Sequence, residues 1–330
     1  MLSALIDPVL NLYDYLLEPI DIFAMLGANI TLLDVAGALR LALVLRQIRG
    51  TLARQHKARG LPQESRGRAR DIAATLTMVY GGEVVVSTFL GLQPSFMLSG
   101  TIPALFIGAH YAVEALPDSV IPDMGLFTEL PASIVDALTR ATLVCNVVTA
   151  TVTKHASPAV SSSPWTLLLT SLIFANGGPF VTGAASLLSP GPMTLTTPPE
   201  FLPAGWQATD LWIAPLCTAI YATLTHAQPF YTTLHVMLAR LLAPAGLAHV
   251  ALDGPRAKLL AVDDDTARAV CVVILAGAFL TRTVKTYGAS APSPIGPPNS
   301  EKEKEEMRRR ALAARVAAHK KDAEVEKKLE

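Results

Sequence analysis

The chain has 330 residues, 51% of them hydrophobic and only 16% charged, with a mean hydropathy of +0.40 and a formal net charge of zero at pH 7. Soluble domains carry about 25% charged residues, so the composition speaks against a water-soluble enzyme domain and for a bilayer protein. The balanced charge conceals segregation: bases crowd between Arg46 and Arg70 and again after Arg282, flanking apolar runs, and neither zone reads as a nucleic-acid surface.

Residues 1–28 lack the basic start of a signal peptide and contain Asp7, Pro8, Asp14, Glu18, Pro19 and Asp21. They read as an interfacial helix on the luminal or extracellular side. The sequon Asn29-Ile30-Thr31 lies too close to the first apolar run for ready glycosylation. Seven apolar segments follow, drawn from Asn29 to Gln47, Ile72 to Leu92, Leu98 to Leu116, Leu130 to Thr153, Trp165 to Leu188, Leu211 to Leu234 and Ala267 to Tyr287. Each approaches the roughly 20 residues that cross hydrocarbon. Proline-rich connectors such as 189–203 separate the later ones, and a charged tail, 288–330, closes the chain.

Arg49, Arg54, Lys57, Arg59, Arg66, Arg68 and Arg70 make the first loop cytosolic by the positive-inside rule. The tail, with Lys302, Lys304, Arg308, Arg309 and Arg310, belongs on that side, so the C-terminus is expected in the cytosol. Arg240, Arg256 and Lys258 argue the other way, against Asp253, Asp263, Asp264 and Asp265 in the same loop.

The second and fifth segments each carry a glycine pair: Gly81 and Gly82 in TMVYGGEVVVSTFLGL, Gly177 and Gly178 in LIFANGGPFVTGAASLL. Each glycine costs a helix roughly 1 kcal/mol, so both helices are expected to be broken there, and in a membrane such pairs are tolerated where they line a polar cavity or admit a neighbour. With about 96 residues between the pairs, three segments (about 29–117), three more (about 127–234) and a seventh (267–287) suggest an inverted repeat with a pathway between its halves.

Charges within the apolar segments are expensive unless they face a cavity or a partner. Asp34, Glu83, Arg140 and His226 are the candidates for pore lining or gating. Asp136 and Arg140, four residues apart, share a helical face. They form either an intrahelical ion pair or an arginine turned to the pathway or an anionic lipid headgroup. His226 is either a cavity residue or a hydrogen-bonded packing histidine, and Arg282 and Lys285 are placed to snorkel to the interface. Cys145, Cys217 and Cys271 lie in apolar runs without metal-ligand spacing. Nucleophile elbows, P-loops, zinc spacings and TVGYG-like filters are absent, so an enzyme is not expected.

On TLLDVAGAL in the first segment, the basic first loop, MVYGGEVVVSTFLG, NGGPFVTG and TLTHAQPF, the chain resembles the trimeric intracellular cation (TRIC) channel family from about Ile30 to Tyr287. The resemblance implies an all-α fold of seven transmembrane helices and a homotrimer in endoplasmic-reticulum or nuclear membranes. It implies one pore per protomer between two glycine-broken helices, passing potassium and other monovalent cations as counter-ions to calcium release. Gly81, Gly82, Gly177, Gly178 and Pro179 would shape that path. It further implies a bound anionic phospholipid, such as a phosphoinositide, near a Lys-Glu-Val motif of the fourth helix. Aligned on Leu130-Pro131, this chain has Arg140 for the lysine, followed by Ala141 and Thr142, so the charge is kept and the acid lost. Arg140, Arg282 and Lys285 are therefore the lipid-binding candidates. A secondary transporter built on inverted repeats, or a non-conducting lipid-binding scaffold, would explain the same spans.

Overall fold

A computed structural model of the chain describes residues 3–25, 27–65, 67–203, 205–242 and 260–288. The tail cations and the loop residues Asp253, Arg256 and Lys258 lie outside the described residues. Within them the chain is helical, apart from short irregular connections and one isolated bridge between Pro19 and Thr31.

Helices α1 (Ser3–Leu17) and α2 (Asp21–Met25) precede the first long helix, α3 (Leu32–Ala58). A capping box starts α3: the Asp34 backbone N–H donates to Thr31 Oγ1 at 3.2 Å, while Asp34 Oδ2 accepts the Thr31 N–H at 2.9 Å. Helix α4 (Arg68–Leu90) ends at Gly91, which takes a left-handed φ of 66° that suits glycine. After the short α5 (Ser95–Leu98) and α6 (Thr101–Glu114) comes α7 (Leu126–Ala141), which continues through a π-helical segment, Thr142–Val148, into α8 (Thr149–Thr153). A short α9 (Pro158–Ser161) leads to α10 (Pro164–Ala184), then α11 (Thr209–Thr225), α12 (Pro229–Leu242) and α13 (Asp264–Tyr287).

Four of these are long and apolar enough to cross a membrane: Arg68–Leu90, Leu126–Thr153, Pro164–Ala184 and Asp264–Tyr287. The remaining three expected spans fall short for physical reasons. Helix α3 has 27 residues, but its second half carries Arg46, Arg49, Arg54 and Lys57. With 14 and 17 residues, α6 and α11 reach only about 21 and 26 Å at 1.5 Å per residue, against about 30 Å of hydrocarbon. The sixth span, drawn to Leu234, stops at Thr225. His226 adopts a left-handed φ of 55°, and α12 starts afresh at Pro229.

Small residues let the helices approach. Ala137, Ala141, Ala214, Cys217, Ala267 and Cys271 are all buried between α7, α11 and α13, and Ala38 and Ala42 of α3 meet Ala109 and Val113 of α6. Buried hydroxyl pairs join helices across the core: Ser133 and Thr283 at 2.8 Å, Ser171 and Thr218 at 2.7 Å. At one end of the bundle, Arg70 donates to the carbonyls of Ser186, Ser189 and Gly191, and Gln47 to Pro122 O. At the other, His155 Nε2 lies 3.1 Å from Leu90 O, and Gln228 donates to Ser161 O at 2.7 Å.

Candidate functional site

The two glycine pairs meet. Helices α4 and α10 run antiparallel and cross backbone to backbone at Gly81, Gly82, Gly177 and Gly178. A Cβ on Gly82 would stand 2.4 Å from Phe174 O, and one on Gly178 only 2.0 Å from Met78 O. A Cβ on Gly81 would lie 3.0 Å from Gly178 Cα, and one on Gly177 2.5 Å from Gly82 Cα. The contacts are reciprocal: exchanging each residue for the one 96 positions away turns the Gly82–Phe174 contact into Gly178–Met78 and the Gly81–Gly178 contact into Gly177–Gly82, within about 0.5 Å.

Both helices run through their glycines without interruption, which corrects the expectation of two glycine-broken helices. The glycines give up side chains instead of helical geometry. The backbone partner across the crossing supplies the contact that a side chain would have made.

Pro179 has no N–H, so the Ala175 carbonyl four residues earlier loses its helical donor. Arg140 Nη1 fills that vacancy at 2.8 Å. The same logic recurs at Pro215 in α11: the freed Leu211 carbonyl accepts from Asn176 Nδ2 at 3.3 Å, which also reaches Leu172 O at 2.9 Å. Two prolines thus expose two carbonyls beside the crossing, and two polar side chains satisfy them without ending the helix.

Arg140 and Asp136 do not pair, despite their spacing of four. Arg40 of α3 takes Asp136 instead, with Nε at 3.2 Å and Nη2 at 3.1 Å, and reaches Glu129 Oε2 at 2.7 Å. Two carboxylates against one guanidinium leave a formal surplus of one negative charge in the half-buried α3–α7 contact. The Arg40–Asp136 pair also spans 96 residues. Asp210, Asp136 and Arg282 are the charged neighbours of Arg140, and none of them forms an ion pair with it among the described residues.

The remaining candidates are held in local structure. Asp34 is the cap of α3 described above. Glu83 accepts from the backbone N–H of Ser95, and from its hydroxyl at 3.0 Å, tying α4 to the start of α5. His226 Nε2 lies 2.8 Å from His235 Nδ1 across the α11–α12 break. Arg282 pairs with Asp210 and covers the Phe279 ring at 4.9 Å, while Lys285 is exposed beside it. Those two cations and Thr209, Thr281 and Thr286 line an open groove between α11 and α13.

Neither Glu129 nor Tyr13 stands out in the sequence, and Asn176 does so only as the residue before Gly177. A count of residues four before each proline would have found the carbonyls at Ala175 and Leu211, though not their partners. Cys145, Cys217 and Cys271, from three separate runs, converge in one buried cluster, with the Cys271 thiol donating to Cys217 O at 3.4 Å. No family model, no curated protein and no solved structure matches the chain.

Proposed function

We propose that the protein is a divergent member of the trimeric intracellular cation channel family, passing potassium and other monovalent cations through each protomer of a homotrimer in an endoplasmic-reticulum or nuclear membrane. In this reading α3, α4, α6, the continuous α7–π–α8 helix, α10, α11 and α13 are the seven crossings, with the C-terminus cytosolic, and the first six form two inverted units. The observation that supports it is the reciprocal glycine crossing, since one antiparallel contact repeated about a common axis is what inverted units produce. The short crossings α6 and α11 are accommodated by local thinning of the bilayer. Trp165 at the start of α10, Trp212 at the start of α11 and Trp206 in the turn just before it are exposed where interfacial aromatics belong.

Cation preference follows in this reading from the surplus carboxylate of the Arg40–Glu129–Asp136 network. Arg140, bonded to Ala175 O beside the crossing, is the gating residue, and an anionic phospholipid headgroup at Arg140 or at Arg282 and Lys285 is the expected modulator. Purified protein in liposomes loaded with potassium tests the proposal: release on dilution, with chloride retained, supports it, and release without cation preference counts against it. Saturable, substrate-coupled flux would favour the transporter alternative; a tight liposome that binds anionic lipid would favour the scaffold.

A further inference from the structure

The N-terminal helix α1 reaches into the bundle at one point. Tyr13 is buried to 1% exposure, and its hydroxyl donates to Leu138 O at 2.6 Å and lies 3.3 Å from Thr142 Oγ1. Leu138 O also accepts from the Thr142 hydroxyl at 3.1 Å and from its backbone N–H, so three donors converge where α-helix gives way to π-helix. Burial pushes the Tyr13 phenol up to about 12, further from the pH range in which it would lose its proton.

Arg268 of α13 closes the other side. Its guanidinium lies over the Tyr13 ring at 4.6 Å, is oriented by Asp265 at 2.6 Å, and reaches Asn146 Oδ1 at 3.5 Å. Tyr13 therefore holds Thr142, the first residue of the π segment, while Arg268, seated on Tyr13, holds Asn146 within it. A π segment accommodates an extra residue, and such segments occur at functional sites. Relaxing it to α-helix would rotate the Leu126–Ala141 half by about 100° against Thr149–Thr153, the angle of one residue at 3.6 per turn. Arg140 would turn with that half and leave Ala175 O.

We infer that α1 is a regulatory latch: docked through Tyr13, it holds the π register of the continuous α7–π–α8 helix, and its release lets that register relax and moves Arg140 off the glycine crossing. The effect on permeation rests on the channel reading; the effect on the π segment does not.

Hydrogen exchange on the full chain in lipid nanodiscs, wild type beside Tyr13→Phe, separates the two. The lost hydrogen bond, worth about 0.5–1.5 kcal/mol, should speed exchange of residues 142–148 roughly twofold to tenfold while Pro164–Ala184 keeps its rate. Unchanged exchange at 142–148, or a uniform rise in every helix, would overturn the latch. Asn146→Ala, which removes the Arg268 contact and leaves Tyr13 in place, should loosen the same segment, and failure to do so would also count against it. A local change in exchange with potassium release absent from wild type and variant alike would uphold the latch while removing the channel reading. Potassium release altered at least threefold by Tyr13→Phe, together with that local change, would support both.

Discussion

Two helix contacts in this chain join residues 96 apart in sequence, or their immediate neighbours, and solve the same packing problem in opposite ways. Between α4 and α10 the side chains are gone and backbone touches backbone. Between α3 and α7 a charged pair, Arg40 and Asp136, bridges the gap with Glu129 as a third member. The glycine contact depends on shape: it gains dispersion over a close approach and tolerates no added atom. The charged contact depends on Arg40 offsetting the two carboxylates, because Arg40 and Glu129 have given up most of their hydration while Asp136 keeps part of its own. The first should therefore fail through bulk and the second through imbalance, and Arg140 links the two regions by lying on α7 and bonding α10.

The largest effect is expected at the crossing. Gly178→Leu places a side chain where a Cβ alone would stand 2.0 Å from Met78 O. The helices must separate, at a cost above about 4 kcal/mol, and size-exclusion chromatography in detergent should show little monodisperse protein. Next comes Arg40→Leu, which strands Glu129 and Asp136 and should cost about 3–5 kcal/mol, read as a fall in thermal midpoint. Adding Glu129→Gln and Asp136→Asn should recover most of that fall, and no recovery would mean that packing, not charge, holds this contact.

The link between the regions is sharpened by a double-mutant cycle. Arg140→Ala leaves Ala175 O unsatisfied and should cost about 1–3 kcal/mol. In a Pro179→Ala background the helix regains the missing N–H, so the same change should cost measurably less. Additive losses would show that Arg140 does not act through that carbonyl. Glu83→Gln, which weakens the tie to Ser95 without removing it, should lower stability by about 1 kcal/mol or less.

The smallest effect lies outside the spans. Asp263 is the N-cap of α13, and its acceptance of the Thr266 backbone N–H holds its carboxyl below the usual range. A carboxylate depressed in the folded state adds stability that is complete above the ordinary aspartate value of about 4 and lost as pH falls towards the folded value. Asp263→Ala should flatten that part of the acid-unfolding curve, and an unaltered slope would refute the assignment.

Apolar runs and proline-rich connectors made most helices legible in the sequence, because burial and the missing N–H act locally. The end of α11 was missed: Gln228-Pro229 is a stop signal, but the sixth apolar segment runs through it to Leu234, whereas the helix ends at Thr225. The glycine pairs read both as breaks and as places that admit a neighbour, and only the second holds, since propensity records the cost of glycine and not the backbone that arrives to use the space. Asp136 and Arg140 misled for a similar reason. A spacing of four shows which side chains could meet on one helix, and Arg40, 96 residues away, is the stronger bidentate partner for Asp136. The π segment and the buried Tyr13 leave no periodic trace, and the acidic, proline-containing context of α1 makes it look like a surface element.

The most direct test of the channel reading is single-channel recording of purified wild-type protein and Arg140→Ala in planar bilayers under a potassium chloride gradient. Cation-selective unitary currents, with an open probability shifted by Arg140→Ala and trimer assembly unchanged, are the predicted result. A silent bilayer from folded wild-type protein, or Arg140→Ala currents unchanged while the trimer is lost, would contradict it.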